Sequence, residues 1–127
     1  MCSVKDLMDG KSTVVIISLG DTIRNLKRRL RRNKQRAAIV INTQGIVEGV
    51  ITVKDLEFAK NDDFVDAYYK SPPYTIAPNE PAGKAVGLMN KHGNHQLIVV
   101  DDRDRPLGII WDWQAILDCE RDDERNS

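Results

Sequence analysis

The sequence predicts a mixed α/β (α+β) fold made of two copies of one β-α-β-β-α unit. Three observations predict it. Short β-branched runs such as Val14 to Ile17 have the composition of buried strands. Stretches with apolar residues at helical spacing follow them, as at Ile23, Leu26 and Leu30. The pattern also recurs. Val15 to Leu19, Asp21 to Ile23, Arg36 to Ile41 and Gly49 to Thr52 are matched about 60 residues on by Tyr74 to Pro78, Glu80 to Ala82, Gln96 to Asp101 and Gly108 to Trp111. One such unit buries its own sheet poorly, so the copies, residues 1–62 and 63–127, are expected to pack as one integrated module.

Each element has a local reason. Val14 to Ile17 opens the first repeat as a strand, and Asp21 or Thr22 can cap the helix that follows. Ala37 to Ile41 is the second strand, Thr43-Gln44-Gly45 a hairpin turn, and Ile46 to Thr52 the third strand. A helix is expected over Val53 to Lys60 and a shorter one over Asp63 to Tyr69, ended by Ser71-Pro72-Pro73. In the second repeat Asn79 is the cap candidate, Pro81 suits the first helical turn and Gly93 the stop. Ala82, Ala85, Val86 and Met89 form the inner stripe of that helix. Leu97 to Val100 and Pro106 to Trp111 are strands joined by a turn at Asp102 to Arg105, and Asp112 to Cys119 is the closing helix.

Composition narrows the function. No apolar run approaches the roughly 18 residues of a membrane span, and no basic start followed by an apolar stretch marks secretion, so a cytoplasmic protein without a membrane partner is expected. Cys2 and Cys119 have no Cys-x-x-Cys spacing, which excludes a thiolate zinc site; reduced thiols are expected. The net charge of zero hides an asymmetry: residues 1–36 carry +7 and residues 37–127 carry −7. Seven of the ten positions from Lys27 to Arg36 are basic. Such a run is either a nucleic-acid surface or a solvated helix face that meets acidic surface in the same chain or a partner subunit. The neutral whole favours the face, so nucleic acid is not the expected partner. No nucleophile–base pair, Gly-rich phosphate loop or metal triad stands out, so neither catalysis nor a resident cofactor is expected. His92 and His95 lack an evident third ligand, so a turn histidine is expected rather than a metal site.

The ordered motifs resemble a tandem pair of cystathionine-β-synthase (CBS) domains over nearly the whole chain. Val4-Lys5-Asp6-Leu7-Met8 resembles the short helix that opens such repeats. Gly49-Val50-Ile51-Thr52-Val53-Lys54-Asp55-Leu56 resembles their Gly-x-x-Thr/Ser-x-x-Asp motif, and Pro72 to Pro78 resembles their first strand. The resemblance implies two repeats in pseudo-twofold symmetry. It also implies a homodimeric regulatory module, with an unidentified protein target, that binds an adenosine-containing ligand (AMP, ADP, ATP or an S-adenosyl compound) in a cleft between the repeats. Thr52 can give a hydroxyl to phosphate, Lys54 adds a cation, and an ionised Asp55 can accept from two ribose hydroxyls at once. The alternative is that Thr52 and Asp55 cap the helix after the strand. The same resemblance assigns the opposite wall to Tyr74, Thr75, Ile76, His95, Gln96 and Leu97, with Tyr74 or Ile76 packing on the adenine plane. Gln96 departs from the His-Arg of many family members, which argues against strong di- and triphosphate binding.

The mirror-image cleft would use Val15, Ile16, Arg36, Trp111 and Gln114. It looks degenerate, because Trp111 replaces the small hydroxyl residue and Gln114 the carboxylate. The dimer is expected through the long helices, including Leu26, Leu30, Val86, Trp113 and Leu117. The alternative function is a dimerising scaffold with empty clefts.

Overall fold

The computed structural model describes residues 2–8, 14–113, 116, 117 and 119. The chain divides into two compact units. One, the first-repeat unit, comprises Thr13–Pro73 with Asp104–Pro106; the other, the second-repeat unit, comprises Met1–Ser12, Tyr74–Arg103 and Leu107–Ser127. The division at residues 62 and 63 follows the sequence repeat, whereas packing divides the chain differently. The opening helix α1 (Val4–Met8) buries Val4 and Leu7 with Ala82, Ala85 and Met89 of the second repeat. Val65 buries in the first-repeat core instead.

In the first-repeat unit, β1 (Val15–Ser18) runs parallel to β2 (Ala37–Ile41), and β2 pairs antiparallel with β3 (Val47–Thr52). A parallel pair needs a crossover, which α2 (Ile23–Asn33) supplies. Thr22 caps α2, its side chain accepting from the Asn25 N–H at 3.2 Å, and Lys34 ends it in the left-handed region at φ 54°. Ile23, Leu26 and Leu30 bury against Val15, Ile17, Ala38, Val40 and Ile51. At the β2–β3 hairpin the Asn42 side chain accepts from the Gln44 and Ile46 N–H groups.

Two expected helices shrink to single 3₁₀ turns, Val53–Leu56 and Val65–Ala67. Leu56 is buried, but Val53 is 52% and Phe58 88% exposed. Without a buried stripe, nothing carries the helix on to Lys60. Val65 is likewise the sole buried residue of its turn.

In the second-repeat unit the sheet order is β4 (Thr75–Ile76), β5 (Gln96–Val100), β6 (Pro106–Trp111), with β4 parallel to β5 and α3 (Ala82–His92) between them in sequence. Gly93 stops α3 at φ 67°. The cap is Pro81, not Asn79, and no side chain caps the helix. The Cys2 carbonyl accepts from the Ala82 N–H at 3.0 Å, so backbone beside α1 does what a capping side chain would do. Of the closing helix, residues 112, 113, 116, 117 and 119 are helical, while Gln114 lies outside the described residues.

Cys2 and Cys119 form a disulfide, with Cα atoms 5.7 Å apart, so the expectation of reduced thiols does not hold. They stand 117 positions apart and meet only because the second-repeat unit gathers both chain ends around one core; residue spacing carries no trace of that. Among the described residues no helix is long and apolar enough to cross a membrane.

Candidate functional site

β3 ends at Thr52 and the chain turns at once into Val53–Leu56. The Asp55 carboxylate accepts from both the Thr52 N–H and the Thr52 hydroxyl, each at 2.9 Å, and the Asp55 N–H donates back to that hydroxyl at 3.4 Å. The capping alternative is therefore realised as a reciprocal capping box. The other carboxylate oxygen, Oδ1, meets Lys70 Nζ at 3.4 Å; the Asp55 side chain is 13% exposed and that of Lys70 65%. Lys54 is exposed on the same turn.

Lys70 was not visible in the sequence as part of this corner. Its backbone bridges Val50: the Lys70 N–H donates to the Val50 carbonyl at 2.8 Å, and the Lys70 carbonyl accepts from the Val50 N–H at 3.2 Å. Gly49 makes that approach possible. A Cβ there would lie 2.2 Å from the Lys70 carbonyl oxygen and 2.6 Å from the Tyr69 ring. The glycine of the motif thus acts by letting a second segment close over β3. A buried strand glycine was the one signal that such a segment exists.

The remaining expected residues lie in the second-repeat unit, where the parallel pairing of β4 and β5 sets Thr75 beside Ile98 and Ile76 beside Val99, and the Tyr74 carbonyl accepts from the Ile98 N–H at 3.1 Å; Gln96 and Leu97 precede these paired positions on β5. The Tyr74 ring, 37% exposed, stacks on His92 with centroids 4.1 Å apart and planes 14° apart. Ile76 and Leu97 point into the core at 5% and 1% exposure, so Ile76 does not offer its side chain to an adenine plane. Alternate strand residues face opposite sides, and Ile76 takes the inner one. Thr75 and Gln96 are half-buried, and His95 is exposed with Nδ1 3.1 Å from an Asp112 carboxylate oxygen. His92 and His95 are thus engaged separately. Among the described residues no group of three His, Cys, Asp or Glu is placed to hold a metal ion.

Of the mirror-image set, Val15 is buried in the first-repeat core and the Ile16 carbonyl accepts from the Arg29 guanidinium. Arg36 is exposed, with its carbonyl accepting from the Val53 N–H at 2.9 Å. Trp111 is half-buried at the end of β6.

The expected dimer face needs correction. Leu26 and Leu30 are 0% and 4% exposed, because α2 spends its narrow apolar stripe on its own sheet; Val86 is partly buried against the core. Trp113, Ile116 and Leu117 remain exposed. The basic run is divided in a similar way. Lys27 bonds the Ala59 carbonyl and Asn61, and Arg29 bonds Ile16, while Arg28, Arg31, Arg32 and Lys34 are exposed.

The Asp63 and Asp6 carboxylates are held below the usual aspartate range. Asp63 accepts from the Tyr68 hydroxyl and the Lys60 N–H, and Asp6 from the backbone and hydroxyl of Ser3. The Tyr68 hydroxyl is raised, since its proton serves Asp63.

The sequence matches the family model described as CBS domain over residues 4–61 and again over 65–110. It is 35% identical over 82 residues to the uncharacterized protein MJ1404 of Methanocaldococcus jannaschii, a match covering 60% of this chain and 20% of that protein, so the chain spans about a fifth of this relative. Among solved structures, the CBS domain pair of protein MJ0100, in complex with 5′-methylthioadenosine and S-adenosyl-L-methionine, is similar with a TM-score of 0.81 and 20% identity over 95% of this chain and 98% of that one. The CBS domains of a transcriptional regulator from Streptococcus pneumoniae give 0.80 and 17% over 92% and 98%. At these identities the structures speak for the fold.

Proposed function

Because the chain belongs to the CBS-domain family, as a tandem pair and thus a regulatory module, we propose that it senses an adenosine-containing ligand at the Thr52–Asp55 corner and works as a homodimer. One observation carries this reading. Asp55 is a largely buried carboxylate at a strand–turn corner, and its Oδ1 faces a solvent-exposed Lys70 that a ligand's hydroxyl groups can displace. An ionised carboxylate accepts from several donors, so the capping box and a ribose can share it. Lys54 and Lys70 suit the phosphate or other polar end of the same ligand, while the Thr52 hydroxyl keeps its proton on Asp55. The adenosyl ligands of MJ0100 support this ligand class.

A second reading, a dimerising scaffold that binds no nucleotide, is favoured by the capping box, since Asp55 is already satisfied by Thr52 and Lys70. Mass spectrometry of small molecules released from the purified protein, with a thermal-shift screen of AMP, ADP, ATP, methylthioadenosine and S-adenosylmethionine, separates the two. Ligand at a hundred times its Kd adds about 2.7 kcal/mol, a rise of roughly 5–10 °C in Tm for a chain of this size. No shift with any of them would leave the scaffold.

A further inference from the structure

In the first-repeat unit a groove of about 420 Å³ opens between α2 and the Val53–Leu56 turn. Leu30, Val53 and Leu56 supply its apolar floor, and Lys27, Arg31 and Lys34 line it with positive charge. Glu57 also lines it, so three cations face one anion. Such a seat fits an acidic segment that leads with apolar side chains. The chain contains one. Ile116 and Leu117 are each 46% exposed, and residues 118–124 carry five acidic side chains against the single Arg121. The two units are charged to match: the first-repeat unit holds twelve Lys/Arg and eight Asp/Glu, net +4, and the second-repeat unit seven and eleven, net −4.

We propose that this groove receives the stretch 116–124 of a second copy of the chain, so that unlike units meet in the homodimer. Pairing like units would set +4 against +4 and −4 against −4, whereas pairing unlike units satisfies both. A twofold dimer makes the contact twice, each groove taking the partner's segment, so a modest charge interaction counts double. The proposal rests on the homodimer reading and adds to it which surfaces meet.

The test is a set of charge reversals read by analytical ultracentrifugation of the full chain. Arg31→Glu reverses a groove cation, and Asp122→Arg with Asp123→Arg reverses the segment. Arg32→Glu, exposed but outside the groove, is the control. Each reversal should weaken self-association about tenfold or more, the control should change it by less than about threefold, and salt should weaken the wild-type dimer. Mixing the groove variant with the segment variant should restore a dimer of wild-type strength, because both contacts in the mixed pair are then matched. That restoration also shows that both variants fold. A wild-type monomer at micromolar concentration would overturn the homodimer reading and this pairing together. A wild-type dimer that Arg31→Glu weakens no more than Arg32→Glu, or a mixture that fails to re-associate, would overturn the pairing alone and point to the chain's own segment or another acidic protein in the groove.

Discussion

After β3 the Val53 N–H donates to the Arg36 carbonyl at 2.9 Å; after β6 the Asp112 N–H donates to the His95 carbonyl at 3.1 Å. The backbone turns the same way in both repeats, yet the side chains do different work. In the first, Thr52 and Asp55 close a capping box that leaves a carboxylate oxygen toward Lys70. In the second, Trp111 stands where Thr52 does, and the carboxylate sits at Asp112, where it pairs with His95 and accepts from the Trp113 N–H. One backbone corner therefore carries a capping box in one copy and a histidine–carboxylate contact in the other. The contrast teaches that repeated architecture does not imply repeated chemistry.

The same contrast extends to what holds each unit together, and three experiments can break or sharpen it. The second-repeat unit is closed by a cross-link that spans 117 positions, and the first-repeat unit contains neither cysteine. Replacing Cys2 and Cys119 with serine should cost up to about 5 kcal/mol by the loop-closure argument. Denaturant titration of oxidised protein and double variant measures it; identical midpoints would show that the bond adds nothing to packing.

The equivalent glycines come next. Gly49→Ala drives a Cβ into the Lys70 carbonyl, a backbone atom that cannot swing aside, and should cost about 3 kcal/mol. Gly108→Ala meets the Met8 sulfur at 2.9 Å, the flexible part of a side chain, and should cost less than about 1 kcal/mol. Thermal melts of both variants test this. Equal losses would contradict the claim that close backbone approach is special to the first corner.

The smallest effect concerns pH. The Asp63 carboxyl is lowered by the Tyr68 hydroxyl and the Lys60 N–H. Its contribution to stability is thus present above the ordinary aspartate range and fades as pH falls through its lowered folded value. Tyr68 is raised, so its share is present below the ordinary tyrosine range and is lost as pH rises through its folded value. Tyr68→Phe should flatten the acid limb of a Tm-against-pH curve. An unchanged acid limb would show that the pair does not link pH to folding.

Much of this architecture is legible in local sequence. The repeat, the α2 cap at Thr22, the Gly93 stop and the short opening helix each depend on residues within one turn or strand. The misses share a physical cause. The helix expected after Thr52 ends at Leu56 because burial, not propensity, decides its length. Asn79 yields the cap because the Cys2 carbonyl arrives from far away in sequence. Lys70 reaches Asp55, and Cys2 reaches Cys119, through contacts between distant segments. At the candidate site, Thr52 and Asp55 were readable as a spacing, but whether their oxygens cap or bind was not, since one geometry serves both.

The measurement that bears most directly on that point is calorimetric titration of S-adenosylmethionine, or whichever adenosyl compound gives the largest thermal shift, into wild type, Asp55→Ala and Gln114→Ala. A hydrogen bond to a charged group contributes about 1.5–3 kcal/mol, so Asp55→Ala should weaken binding roughly ten- to a hundredfold. Gln114→Ala, at the equivalent position of the second repeat, should leave the affinity within about twofold. Binding lost in Gln114→Ala and kept in Asp55→Ala would contradict the assignment of the ligand to the first corner.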